Sequence, residues 1–323
     1  MKDIQDLIII GGGPGGMTAG LYAQRAGLKT KVVEAYLLGG QMNNTSDIDN
    51  YLGLQNIHGG KLSEEMSAHL FKFNGEEDIV YDKVNEIDRD KDGIFSLTLE
   101  YSEEPLYAKA VILATGCTHK TLGLPNEQEW EGRGLSYCAT CDGAFFKGKN
   151  VAVIGGGNTA VEDAIYLSAI ANKVSLIHRR NELRAEAILT KRLEELDNVE
   201  ILWDSVSKAL VCDDDKIKGL ELENVYNGEL KVISVEGVFI AIGVTPIVPK
   251  LNFSTKNVTD EGFIITNEKM ETDVPGLYVI GDLREKEMRQ IVTAMGDGAQ
   301  ATKEVSNYLN FLAQLTKLLK KKD

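Results

Sequence analysis

The sequence predicts an α/β fold of two parallel-sheet units, the second set inside the first, and three observations carry that prediction. A glycine-rich turn stands between an apolar strand pattern and a helical pattern twice, at Gly11 and again at Gly155. Each unit closes on an apolar run that ends in small residues, Val111-Ile112-Leu113-Ala114-Thr115-Gly116 in one and Val238-Phe239-Ile240-Ala241-Ile242-Gly243 in the other. A last strand pattern, Leu277 to Asp282, returns to the first plan after the second is complete, so the first domain is discontinuous. The expected boundaries are 1–117 and 248–323 for the first domain and 118–247 for the second.

The first unit opens with a buried parallel strand over residues 4–10, followed by Gly11-Gly12-Gly13-Pro14-Gly15-Gly16. Helical spacing runs from Met17 to about Ala26 and stops at Gly27, and the strand Lys31 to Glu34 ends on a carboxylate. This is a complete Rossmann-like βαβ fingerprint. The glycines permit a tight turn and the approach of a pyrophosphate, the helix N-terminus faces the phosphates, and Glu34 suits ribose hydroxyls. The polar stretch from Gly39 to Asn50 contains no cysteine and offers Gln41, Asn43 and Asn44, and residues 61–73 read as a helix.

The second unit repeats the plan. Asn150 to Ile154 is a buried strand, Gly155-Gly156-Gly157-Asn158-Thr159-Ala160 the turn, and a helix follows to about Ala171. The next strand, Lys173 to Ile177, ends in His178-Arg179-Arg180, with Arg184 beyond. Guanidinium forks in place of an acid suit a 2′-phosphate, so this site reads as built for NADP. His178 reads as placing the loop. Residues Gly243 to Pro249 read as the linker back, and Arg289 and Gln290 open a long C-terminal helix.

Between the two fingerprints lies Tyr137-Cys138-Ala139-Thr140-Cys141-Asp142-Gly143. Thiols at i, i+3 can close a small disulfide ring, and the spacing favours a thiolate. The carboxyl of Asp142 follows at once, placed to take or give a proton. Taken alone the pair also fits half a zinc site or two buried cysteines. Framed by two nucleotide turns, it points to electrons passing from one nucleotide to another and out through sulfur.

Composition narrows the class. With 323 residues, 43% hydrophobic and 26% charged, the chain is long enough for two packed domains. No apolar run reaches the length of a membrane span, and the start lacks a secretory leader pattern. Four cysteines are too few for a disulfide scaffold, which points to a reducing compartment, the cytoplasm, and to any disulfide being catalytic. A formal charge of −14 speaks against a nucleic-acid partner. The basic stretch Lys317 to Lys322 suits the negative end of a helix dipole.

Five stretches together resemble the low-molecular-weight thioredoxin reductases: Gly11 to Gly16, Cys138 to Gly143, Gly155 to Ala160, His178-Arg179-Arg180 with Arg184, and Gly281-Asp282 with Arg289-Gln290. The resemblance implies an FAD domain interrupted by an NADPH domain that carries the dithiol, assembled as a homodimer that acts on thioredoxin. It places Gly11, Gly13, Gly16 and Glu34 on the FAD adenosine and pyrophosphate, Gln41 and Asn50 along the flavin, and Asp282 at the ribityl or phosphate region. Arg289 and Gln290 would set a helix N-terminus near the pyrimidine edge. Gly157, Asn158, Thr159, His178, Arg179, Arg180 and Arg184 match NADPH positions. Pro14, Ala35, Gly40, Thr115, Gly116, Ala160, Ile242, Gly243, Gly281 and Ile291 complete the cofactor-binding set. Cys141 would face the flavin, Cys138 would attack the substrate, and Asp142 would carry the proton.

Two departures stand out. Tyr51-Leu52-Gly53 replaces a common Trp-Pro-Gly, and Cys117 stands where alanine is common and reads as a small buried residue. Four other functions are weighed. A zinc set of Cys117, His119, Cys138 and Cys141 would waste a strand end suited to lie beneath a flavin. The flavoprotein of a peroxiredoxin system needs an N-terminal dithiol domain, where this chain opens on the FAD strand. A flavin-dependent dithiol oxidase has no use for the arginines, and ferredoxin-NADP reductases lack the dithiol. One dithiol has to meet both a flavin and a protein, so a hinge is expected near 117–119 and 243–247.

Overall fold

The strand β1 (Ile4–Ile10) carries Leu7, Ile8, Ile9 and Ile10 almost fully buried, the continuous apolar run of a strand covered on both faces. The computed structural model describes residues 3–45, 48–73, 75–213 and 215–319. After β1 come α1 (Pro14–Arg25), β2 (Thr30–Glu34), α2 (Gly59–Phe71), β3 (Ile79–Tyr81), β4 (Val84–Arg89), β5 (Phe95–Leu99) and β6 (Leu106–Leu113). Then follow β7 (Cys117–His119), β8 (Leu135–Ser136), α3 (Ala139–Asp142), β9 (Asn150–Gly155), α4 (Asn158–Ser168), β10 (Lys173–Ile177), α5 (Ala187–Glu194) and β11 (Val199–Leu202). The chain continues through β12 (Ser205–Asp213), β13 (Lys216–Asn224), β14 (Leu230–Ile233), β15 (Gly237–Ala241), β16 (Val244–Pro246), β17 (Lys250–Leu251), β18 (Leu277–Val279) and α6 (Ile291–Leu319).

These elements form two units. One comprises Met1–Ser46, Ile57–Thr118 and Thr245–Asp323; the other comprises Asp47–Asn56 and His119–Val244. Both contain the Rossmann-like parallel sheets that the paired fingerprints predict. In the first unit the sheet order is β17-β4-β5-β6-β1-β2-β3, with β18 also on β6. The two halves of β6 have different partners on that side: Leu106 to Ala108 pair antiparallel with β5, and Val111 to Leu113 pair parallel with β18. The other unit has a five-stranded sheet, β11-β10-β9-β15-β8, parallel throughout, and an antiparallel β12-β13-β14 sheet.

Helix α1 starts on Pro14, whose missing N–H costs nothing in a first turn. It ends before Gly27, whose φ of +71° few other residues would take. Besides Met17 and Thr18, its buried positions are small (Gly15, Gly16, Ala19, Gly20, Ala23), and α6 runs against it at Gly15 and Ala19. A Cβ on Gly298 would strike the carbonyl of Gly15, and the Thr302 hydroxyl donates to the Ala19 carbonyl at 3.2 Å. In the second unit α4 covers β9 and β10 through Ala160, Val161, Ala164 and Leu167, packed on Val151, Val153, Val174 and Leu176.

Several element ends differ from the sequence expectation, for local reasons. The run Val111 to Gly116 leaves the sheet after Leu113, because Ala114 turns its carbonyl beneath Gly11 and Gly116 takes a φ of +71°. The strand from Leu277 stops at Val279, and Gly281–Leu283 form a 3-10 turn instead. Helix α4 ends at Ser168, short of Ala171, and α2 spans Gly59–Phe71 rather than 61–73. Lys317 does lie in the last turn of α6, while 320–322 lie outside the described residues.

One buried carboxylate holds the β3–β4 and β5–β6 corners together. Asp82 accepts the amides of Lys83, Glu100, Tyr101 and Ser102 at 2.7–3.1 Å and the Ser102 hydroxyl at 2.7 Å. Burial alone would push its carboxyl up, but the Ser102 hydroxyl and the backbone donors outweigh it and hold it below the ordinary 3.8. A depressed folded-state value means that the stabilisation is present above the unfolded value and lost as pH falls through the folded one. Asp82→Ala should therefore cost about 1–3 kcal/mol at pH 7. Denaturant titrations should show the gap from wild type closing well below pH 4.

Candidate active site

Cys138 and Cys141 form a disulfide with Cα atoms 5.3 Å apart. The single turn α3 brings the two thiols together, since residues three apart lie side by side on a helix. Cys138 caps that turn, and its sulfur accepts the Cys141 amide at 3.2 Å. The Thr140 hydroxyl lies 3.5 Å from the same sulfur.

Ser136 and Tyr137 hold the turn from its entry. The buried Ser136 hydroxyl donates to Asp142 Oδ2 at 2.6 Å and accepts the Cys138 amide at 3.0 Å. The Tyr137 ring stacks on His119 at 4.9 Å, and its hydroxyl donates to Glu127 Oε1 at 2.7 Å. Glu127 is itself buried and accepts the amides of Leu122 and Leu124. Nearby, burial pushes the Glu131 carboxyl up, and the charges of Glu127 and Asp142 add to the effect.

The second glycine turn lies in the same unit. Gly155 has a φ of +155°, and a Cβ there would overlap the carbonyl of Ala241 at the end of β15. Gly157 caps α4 without any side-chain acceptor, leaving the first-turn amides for a ligand, and a Cβ on it would meet nothing within 4 Å. The loop after β10 folds onto this turn: the Arg184 amide donates to the Gly156 carbonyl at 2.7 Å. Asn158 brackets Glu186, accepting its amide at 2.9 Å and donating to its carboxylate at 3.3 Å. Arg179, Arg180 and Arg184 are exposed there, and the arginines in ion pairs among the described residues are Arg133 and Arg284. Thr159 is exposed at the start of α4, Ala160 is buried behind it, and Ile242 and Gly243 follow β15.

His178 lies beneath the second turn. Its ring is buried under Gly156, with Nε2 3.0 Å from the Glu182 carbonyl. Burial pushes the imidazole down, against the pull of the Glu182 and Gly155 backbone groups.

The first glycine turn has the same construction on β1 and β6. Gly11, at φ +107°, lies so close to the Ala114 carbonyl that a Cβ would overlap it. Gly13 caps α1 with open space before it, and Pro14 and Gly16 follow in the first turn. Glu34 accepts the Gly12 amide at 2.6 Å and the Tyr36 amide at 2.8 Å, so it ties the end of β2, with Ala35, to the turn. Gly40 comes back against Gly13, a Cβ on it lying 3.3 Å from the Gly13 Cα. The Gln41 amide donates to the Cys117 carbonyl, and Thr115 and Gly116 both bond the backbone of Ile247. Asn50 lies in the segment that groups with the other unit.

On the far side of this turn stands Asp282, whose Oδ1 is buried without a hydrogen-bond partner. Burial pushes its carboxyl up, while Lys286 and Arg289 pull it down. Arg289 donates to the Asp282 carbonyl at 3.2 Å and lies 4.4 Å from the Phe263 ring centroid, just before Gln290 and Ile291 open α6. Sequence reasoning missed Asp297, which reaches back from α6. It accepts the Gly281 amide at 3.0 Å, Arg284 at 3.0 Å and Lys286 at 2.9 Å, which fixes the turn that carries Asp282. It missed Ser136 as well. Neither residue belongs to a spacing that names its partner.

The family profile of the pyridine nucleotide-disulphide oxidoreductases matches residues 5–298. The chain belongs to that family. It is 43% identical to the thioredoxin reductase of Bacillus subtilis over 99% of both chains. The thioredoxin reductase of Streptococcus pyogenes, 43% identical, superposes with a TM-score of 0.89 over 96% of this chain and 99% of the other. That of Giardia duodenalis, 32% identical, also gives 0.89, over 96% of this chain and 100% of the other. The family and these relatives imply a flavin and a nicotinamide cofactor.

The residues present fit both groups. The orphaned Asp282 oxygen suits a ligand hydroxyl, the open helix starts at Gly13 and Gly157 suit pyrophosphates, and the three exposed arginines suit a further phosphate. Among the described residues no group of three or more His, Cys, Asp or Glu is placed to hold a metal ion.

Cys117 is buried, and burial, with the charge of Asp282, pushes its thiol up to about 11 against the pull of Arg289. Native protein treated with iodoacetamide at pH 8 should alkylate Cys117 at least about a hundredfold slower than a free thiol, by peptide mass analysis.

Proposed function

We propose that the chain is an NADPH-dependent thioredoxin-disulfide reductase whose cofactor is FAD. The observation that carries the proposal is the Cys138–Cys141 disulfide, closed on one helical turn next to a carboxylate, in the unit that also presents the glycine turn and the three exposed arginines. Bound FAD would supply the two-electron exchange between nicotinamide and disulfide.

The chain's own residues supply the rest. Glu34 and the Gly11–Gly16 turn hold the adenosine and pyrophosphate of FAD, and Asp282 takes a ribityl hydroxyl. Arg289 and Gln290 would place the start of α6, whose positive end would favour negative charge on the bound group. Arg179, Arg180 and Arg184 select NADPH by its 2′-phosphate. By the family resemblance, Cys138 attacks the thioredoxin disulfide, Cys141 resolves the mixed disulfide, and Asp142 carries the proton.

Hinge rotation near 117–119 and 243–247 belongs to the same reading, because the dithiol serves two partners. So does a homodimer, which the exposed Phe311, Leu315, Leu318 and Leu319 of α6 suit. A cytoplasmic setting accords with Cys117 and Cys212 being free thiols. No described helix is long and apolar enough to cross a membrane. A dithiol oxidase that uses oxygen is the second reading, and the arginine cluster speaks against it.

Three experiments test the proposal. Purified protein should be yellow, bleach with NADPH, and reduce thioredoxin; a colourless protein would sink the reading. Arg179→Ala should raise the KM for NADPH more than tenfold, since a charge-assisted hydrogen bond contributes about 1.5–3 kcal/mol, and leave NADH use unchanged. Cys141→Ser should trap a mixed disulfide with a thioredoxin that lacks its resolving cysteine. If Cys138→Ser traps it instead, the two sulfurs have exchanged roles.

A further inference from the structure

A lysine is buried beside the turn that carries Asp282. The side chain of Lys286 is 11% exposed, where a lysine on a loop ordinarily keeps its ammonium in water. Its Nζ donates to Asp297 Oδ2 at 2.9 Å, and the same oxygen accepts the Gly281 amide at 3.0 Å. The ammonium and the peptide that leads into Asp282 therefore meet on one atom. Asp297 has a second cation of its own. Its other oxygen accepts Arg284 Nη1 at 3.0 Å, and Arg284, 16% exposed, is fixed in turn by donating Nε to the Thr266 hydroxyl at 3.1 Å. One carboxylate between two cations leaves a positive charge over, and an unmatched buried charge is strongly unfavourable.

Asp282 is the group that matches it. Its Oδ1 is buried with no hydrogen-bond partner. Burial pushes its carboxyl up, Lys286 and then Arg289 pull it down, and Asp297 adds to the upward push. Arg289 is committed elsewhere: it donates to the carbonyls of Asp282 and Arg284 and lies 4.4 Å from the Phe263 ring centroid. The remaining titratable group that faces Asp282 is the Cys117 thiol, pushed up to about 11 and so uncharged near neutral pH.

We propose that Lys286 is a positioning residue for the flavin: held by Asp297 against the Gly281–Asp282 turn, its ammonium is the counter-charge of the buried Asp282 carboxylate and leaves Asp282 Oδ1 to accept a hydroxyl of the cofactor. The proposal rests on the reading of Asp282 as a flavin contact. A carboxylate accepts such a bond with its full charge, whereas a carboxyl group that has taken a proton makes a neutral and weaker one. Lys286 acts on the cofactor through Asp282. A lysine that only braced the turn would give a loss of affinity equal at every pH and equal whatever residue stands at position 282.

The test measures binding without turnover. Full-length holoprotein is diluted in series, and released FAD is read by its fluorescence. Lys286→Met, a chain of similar length with no charge, should weaken FAD binding about tenfold at about pH 7.5, the loss expected when a hydrogen bond gives up its charge assistance. Between about pH 8 and about pH 6 the variant should lose affinity more steeply than wild type, because a buried carboxylate without its counter-charge takes up a proton at higher pH. Lys286→Arg should recover most of the affinity. In an Asp282→Asn background Lys286→Met should add less than about twofold, and the pH slope should vanish with the carboxyl that titrates. Should Lys286→Met load no flavin, Lys286→Gln, which keeps a donor for Asp297, serves for the same comparisons.

A loss that is independent of pH, or an equal loss in the Asp282→Asn background, would overturn the proposal. If Asp282→Asn alone leaves FAD affinity unchanged, the reading of Asp282 as a flavin contact fails instead, and a wild-type protein that binds no FAD fails the proposed function itself.

Discussion

Both units depend on a contact between two stretches of backbone. In the first, Gly11 presses on the Ala114 carbonyl; in the second, Gly155 presses on the Ala241 carbonyl. Each contact is closer than any side chain permits, so each fixes where the strand carrying the turn meets the end of its neighbour. The consequences follow in order. The helix behind the turn starts where its amides point outward, and the second strand ends beside it. Glu34 stands at that place in one unit and the His178-Arg179-Arg180 stretch in the other. One backbone constraint is used twice, with opposite charges beside it.

The dithiol turn works by a different economy. It sets Ala139 into the core of its unit and is held otherwise by hydrogen bonds and one ring stack. Ser136 ties its ends, Tyr137 fastens its entry to Glu127, and the Cys141 amide sits on the Cys138 sulfur. The buried Cys117, by contrast, is kept out of thiol chemistry by its lack of solvation. The distinction between the two kinds of cysteine is made by donors in one case and by burial in the other.

The sequence displayed what is contiguous. The two glycine turns, the Cys138–Cys141 spacing, the arginines after β10 and the parallel sheets are all visible because each pattern sits within a few residues. What it concealed is what depends on a partner brought from elsewhere. Asp297 lies on a helix face like many others until α6 lays it against Gly281, and Ser136 carries no motif until the turn folds back over it. Strand ends were misjudged for the same reason. Ala114, Thr115 and Gly116 have strand-like neighbours, but the carbonyl beneath Gly11 and the bonds to Ile247 take them out of the sheet.

The late return of β18 and α6 has a consequence for how the chain comes to be folded. The hydrogen bond from Thr302 to Ala19 joins positions 283 residues apart, and half of β6 waits for β18 to cover its edge. The stretch His119–Val244 meets all the strands of its own sheets long before that. On the ribosome, then, the middle of the chain can finish while the earlier stretch is still open, reversing the usual first-made, first-folded order. The edge of β6 stays uncovered until β18 emerges, and the small-residue face of α1 stays uncovered until α6 follows.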